Sequence, residues 1–183
     1  MANYTYSLST LFLVLLSVAK PTTLKADDVF QSPEAFIASA FQDSEPKANV
    51  LWLKNDLKEG VKKILDHDYS SFRIRYWQHE TRTAWILEEI GKVKPITTGI
   101  IIQDGKIQSL KVLVYRESHG WEVKHPFFTN QFKKLGLTKS HDLNKKIDGI
   151  SGATLSVNAL KRLSHLALYL DQNVPHETVK VAE

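Results

Sequence analysis

The chain of 183 residues contains no cysteine. That excludes disulfides, iron–sulfur ligation, c-type haem attachment and a lipid-modified N-terminal cysteine. Any redox role must come from a bound organic cofactor or from a site of histidines and carboxylates. Charge of one sign is also scarce. Lys plus Arg is 24 and Asp plus Glu is 20, a net charge of +4. This balance is too weak, and its basic residues too scattered, to argue for a nucleic-acid partner. The seven histidines show no H-x-x-x-H spacing with a partner carboxylate, so a metal site has no support. His119 and His125 flank Trp121 without such spacing. G-x-S-x-G, P-loop and G-x-G-x-x-G motifs are missing, which removes support for hydrolase, NTPase and Rossmann readings.

What is present is ordinary for a soluble globular protein: 43% hydrophobic and 24% charged residues, with enough length for one domain and a sizeable core. The run from Leu8 to Val18 is too short for a membrane-spanning helix. It reads as the apolar region of a signal peptide covering residues 1–26. Ser17-Val18-Ala19 and Leu24-Lys25-Ala26 both offer a small residue for cleavage, and Ala26 is preferred because Asp27-Asp28 makes a plausible mature start. The region before the run has no Lys or Arg, so an uncleaved N-terminal anchor is the alternative. Removing residues 1–26 takes away Lys20 and Lys25 and no acid. That leaves 22 basic against 20 acidic side chains, a net +2.

The periodicity divides the remainder. Residues 27–71 form a helical N-terminal segment. One helix starts at Ser32-Pro33-Glu34 and runs to about Asp43, and a second covers Asn55 to Asp66. From Phe72 the period changes to that of strands: Phe72 to Trp77, Ala84 to Ile90, Ile96 to Ile102 and Ile107 to Tyr115, with Asp104-Gly105 as a hairpin turn. A last helix covers Val157 to Asp171, with Leu160, Leu163, Ala167 and Leu170 inward and Ser156 as its N-cap. The expected fold class is α+β, a twisted antiparallel sheet covered by helices in a single domain. Residues 176–183 form a C-terminal tail.

The most informative stretch is Asp148-Gly149-Ile150-Ser151-Gly152-Ala153-Thr154-Leu155-Ser156. It sets two glycines and several oxygen-bearing side chains before a helix. Gly149 and Gly152 permit tight turns. A helix N-terminus offers unpaired N–H groups and a partial positive charge that favour a phosphate. Most such clusters are only capped turns, but this composition is specific. The pattern D-G-x-[ST]-G-A-T-x-[ST] specifies seven of the nine positions, and a match arises by chance in roughly one of 10⁸ windows.

This stretch resembles the flavinylation motif of the FMN-binding domain family, which includes the C subunit of the sodium-pumping NADH:quinone reductase and the G subunit of the Rnf complex. The resemblance extends over roughly Thr81 to Asp171 and implies an FMN-binding domain over residues 72–175. It implies that Thr154 forms a phosphoester with FMN, attached by a separate flavin transferase that uses FAD and a divalent cation. Asp148, Gly149, Ser151, Gly152, Ala153 and Ser156 complete the loop. Low bulk at Gly152 and Ala153 leaves the Thr154 hydroxyl accessible, while Asp148 either helps the transferase engage or only forms the turn. Glu117-Ser118-His119-Gly120 resembles, more weakly, the family's glycine-bearing loop near the flavin.

A flavin ring needs an apolar shelf and donors that tune it. Trp85, Trp121, Phe127 and Phe128 are candidates for the shelf, although such aromatics belong more often to a core. Lys124 or Arg116 are candidates to stabilise reduced flavin, with solvated charge as the default reading. The expectation is an exported, periplasmic or otherwise extracytoplasmic flavoprotein. It would act as an electron carrier with a membrane or extracytoplasmic redox partner rather than as a stand-alone oxidoreductase. Two alternatives are a flavin-dependent reductase of a small substrate, with Arg73, Arg75 or Arg116 holding an anion, and a non-catalytic module whose loop only binds phosphate.

Overall fold

Alternating apolar and polar side chains build one antiparallel sheet. The computed structural model describes residues 27–42 and 44–176. Its six strands are β1 (Asp28–Val29), β2 (Lys47–Trp52), β3 (Arg73–His79), β4 (Arg82–Ile90), β5 (Pro95–Gln103) and β6 (Lys106–Tyr115). They lie in the order β1-β6-β5-β4-β3-β2, antiparallel throughout. Four α-helices accompany them: α1 (Pro33–Phe41), α2 (Asn55–Leu65), α3 (Pro126–Thr129) and α4 (Thr154–Asp171). The protein is a single α+β domain, as the sequence pattern implies. The signal-peptide reading of residues 1–26 and the tail beyond His176 lie outside the described residues. Among the described residues no helix is long and apolar enough to cross a membrane.

Residues 27–71 are not purely helical, which corrects the sequence reading. Besides α1 and α2 they supply both edge strands. Leu51 packs on the core while Val50 and Trp52 are exposed, so β2 does alternate. Two of its exposed members, Val50 and Trp52, are large and apolar, which blurs the pattern. β1 has only two residues, too few for any periodicity to register.

The sheet separates two apolar clusters. On one face α2 and α4 cover Trp85, Leu87, Ile100 and Ile102 with Val61, Leu160, Leu163 and Leu170. On the other face α1 lays Phe36, Ala40 and Phe41 on Ala84, Ile101 and Leu113. Ser32 caps α1, its hydroxyl accepting from the Ala35 N–H at 3.1 Å. α4 is tied to β4 at two points. Arg162 reaches the buried Glu89 carboxylate at 3.0 Å, and His67 joins from the α2–β3 loop at 3.1 Å. At the helix end, Thr83 donates to Asp171 and accepts from Trp85 Nε1 at 2.9 Å. These ties set where the N-terminus of α4 emerges, and the Asp148–Ser156 stretch is located there.

Candidate functional site

Ile147 and Ile150 anchor the loop before α4. Ile147 is buried and Ile150 packs on the main cluster. The Asp148 N–H donates to Gln131 Oε1 at 2.9 Å. The Ala153 N–H then bonds the Ile150 carbonyl at 3.0 Å, closing a turn. Gly152 lies at φ +81°, a conformation that disfavours any side chain, and a Cβ there would meet open space. The constraint at Gly152 is therefore torsional and leaves room above it. Asp148, Gly149, Ser151, Gly152 and Thr154 are all exposed, whereas Ala153 is buried.

α4 begins at Thr154, three residues before the expected start. Its N-cap is Ala153, which offers no side-chain bond. The first helical hydrogen bond runs from Val157 N–H to the Ala153 carbonyl at 2.9 Å. Amides of the first turn thus face outward beside the Thr154 hydroxyl, at the positive end of an 18-residue helix.

Ser156 is not the N-cap, contrary to the sequence reading. It sits in the first turn, 4% exposed, with its hydroxyl 2.8 Å from the Tyr115 phenol. Tyr115 donates to the His119 carbonyl, so Ser156 is the donor to Tyr115. Burial raises the pKa of Tyr115, and the Ser156 bond partly opposes this. Gly120 closes over the pair at φ +82°. A Cβ there would lie 2.7 Å from Ser156 Oγ and 3.0 Å from the Tyr115 hydroxyl. Only glycine combines that torsion with that approach. The 116–120 loop and the start of α4 therefore form one unit. Neither Tyr115 nor Gln131 was singled out in the sequence. Tyr115 is simply the last residue of an apolar strand, and Gln131 lies 17 positions before the loop it holds.

Glu117 belongs to the same loop but faces the β4–β5 turn. Its carboxylate accepts from the N–H groups of Lys92, Val93 and Lys94 at 2.6, 2.6 and 2.9 Å. Burial opposes its ionisation, yet these three donors outweigh burial and hold its pKa below the ordinary value. Its place is thus in the frame of the site.

The aromatic candidates separate. Trp85 is fully buried and stacks on Tyr76 at 4.8 Å. Phe128 is fully buried against Phe132. Both are core residues and cannot form a shelf. Trp121 and Phe127 are exposed, bridged by His125, whose ring lies 5.3 Å from Trp121 and 6.3 Å from Phe127. Lys124 Nζ stands 4.0 Å from the Phe30 ring and 5.3 Å from Trp121. Arg116 is already engaged with Asp27 at 2.9 Å, the Pro95 carbonyl at 3.1 Å and Thr97 at 2.9 Å. Arg73 and Arg75 alternate with Ile74 and Tyr76, which face α4, so both arginines lie on the opposite face of the sheet.

Residues 91–169 match the family model of the FMN-binding domain. The match runs from the β4–β5 turn held by Glu117, through the Gly120 loop and the Asp148–Ser156 stretch, into α4. Comparison with curated proteins finds no match, and comparison with solved structures finds none. An open loop with an exposed hydroxyl and outward amides has the chemistry to hold a phosphate ester, and the segment carrying it is the matched one. Residues 91–169 are thus similar to an FMN-binding domain, and that domain indicates FMN as the cofactor.

Proposed function

We propose that Thr154 carries FMN through a phosphoester and that the protein is an exported electron carrier. The observation that supports this best is the placement of Thr154. Its hydroxyl is exposed at the first turn of α4, on a loop made small by Gly152 and Ala153 and left uncapped by any side chain. Thr154 would supply the ester oxygen and lose its hydroxyl proton. A separate flavin transferase would deliver FMN from FAD, with AMP leaving as the diphosphate bond breaks. The outward amides of α4 and its positive end would stabilise the diester's negative charge. Bound FMN would exchange one or two electrons, which suits a link between one-electron and two-electron partners. A covalent cofactor is not lost by dilution outside the cytoplasm, which agrees with the signal-peptide reading of residues 1–26.

Coexpression with a flavin transferase tests the assignment. Intact-mass spectrometry should show one FMN added less one water, and colour should survive denaturation. Thr154→Ala should abolish the addition while the protein stays folded, because the side chain is exposed. Covalent flavin retained by a folded Thr154→Ala protein would sink the attachment site.

A further inference from the structure

We infer that the end of the sheet nearest Thr154 docks on an anionic lipid surface. Among the described residues, most of the exposed large hydrophobic side chains gather at this end, including Trp52, Phe72, Ile90, Val93, Trp121 and Leu155. Contacts on the backbone place them along one rim. Leu53 N–H bonds the Phe72 carbonyl, joining the end of β2 to the start of β3. Ile90 pairs with Pro95 across the turn that carries Val93. Glu117 links that turn to the Gly120 loop, and Gly120 abuts Ala153 and Ser156 at the start of α4. The turns at the opposite end, around Glu80-Thr81 and Asp104-Gly105, carry polar side chains.

The apolar side chains come from separate segments: the end of β2, the start of β3, the β4–β5 turn, the segment after Gly120 and the start of α4. Four of the six, Trp52, Phe72, Val93 and Trp121, have a cation beside them. Phe72 is 75% exposed and precedes Arg73, and Val93 is 71% exposed between Lys92 and Lys94. Lys54 Nζ lies 5.8 Å from the Trp52 ring, and Lys124 Nζ lies 5.3 Å from Trp121. Three of the acids at this end are engaged within the fold. Glu117 holds the β4–β5 turn, Asp27 pairs with Arg116, and Asp68 pairs with Lys62. The surface therefore offers apolar and aromatic tips with lysines and an arginine beside four of them. A soft, negatively charged head-group region accepts that combination, with tips entering between lipids and cations on the phosphates. A protein partner would instead favour a contiguous apolar centre with a polar rim. The inference goes beyond the carrier reading, and its vesicle-binding arms do not depend on flavin.

The test uses the full chain and vesicles of phosphatidylcholine, with or without phosphatidylglycerol. Binding should require phosphatidylglycerol and weaken as salt rises. Brominated lipid should quench exposed tryptophan, and Trp52→Phe should remove part of that quenching. Phe72→Ser/Val93→Ser should weaken binding about tenfold or more, as should Lys92→Gln/Lys94→Gln. These side chains are exposed, so circular dichroism and melting should be unchanged. Equal binding to neutral vesicles would assign the affinity to the Leu8–Val18 run and overturn the inference. So would unquenched tryptophans or undiminished binding by both double variants. If the double variants lose only electron exchange with a detergent-solubilised membrane protein, the surface belongs to a protein partner and lipid docking is wrong.

Discussion

The phenol of Tyr115 has one proton, and it goes to the His119 carbonyl. Its oxygen must then accept, and Ser156 is the donor that reaches it. Both hydroxyls are buried, so neither exchanges this bond for water without cost. Ser156→Ala leaves the phenol oxygen without its donor and should destabilise the protein by about 1–2 kcal/mol in urea unfolding. Flavin attachment should continue in the folded variant, since the Thr154 hydroxyl is untouched. Loss of attachment in a stable Ser156→Ala protein would show that the hydroxyl has a role beyond joining the two segments. The sequence could not reveal this bond. A serine two residues after Thr154 looks like a cap when the helix start is placed three positions too late. The two readings carry a similar energetic cost but place the hydroxyl in opposite surroundings, solvent-facing loop or closed interior.

At the scale of elements, the β4–β5 turn depends on a carboxylate borrowed from another loop. Glu117 ionises more readily in the folded protein than at its ordinary value of 4.5. Its stabilisation is therefore full above that value and is lost as pH falls through the lower folded value. Glu117→Gln should cost about 1.5–3 kcal/mol at neutral pH, the range for hydrogen bonds to a charged group. The difference from wild type should shrink in acid. Urea unfolding at neutral pH and near pH 3 would measure it, and a constant difference would exclude the charge as the cause. Elements with regular patterns were legible in the sequence. The Asp104-Gly105 hairpin, β3 to β6 and the body of α4 follow directly from period and turn chemistry. β2 was hidden because Val50 and Trp52 break the polar alternation expected of an exposed face. The Thr154 loop was legible because its chemistry is local. The apolar shelf was only half legible, since Trp85 and Trp121 look alike until the fold buries one of them.

At the scale of the molecule, one sheet serves two cores. Strand β5 is buried from Ile96 to Ile102, so neither face can separate without exposing the other. Tryptophans report on both sides: Trp85 lies in the larger cluster and Trp77 packs on the smaller. Fluorescence and far-ultraviolet circular dichroism should therefore give the same unfolding midpoint. A biphasic curve would mean that α1 melts independently of the sheet. The two-residue β1 has a consequence for how the chain tolerates trimming. Asp28 and Val29 cover the outer backbone of β6 at Tyr115 and Val114, and Phe30 donates to Leu113 at 2.8 Å. Asp27 fastens the segment through Arg116. A protease that clips just past Phe30 would leave the site residues in place but bare a β6 edge ready to pair with a second copy. Clipped protein would be lost to self-association before it lost its fold, so the first few residues after Ala26 act as a guard against polymerisation.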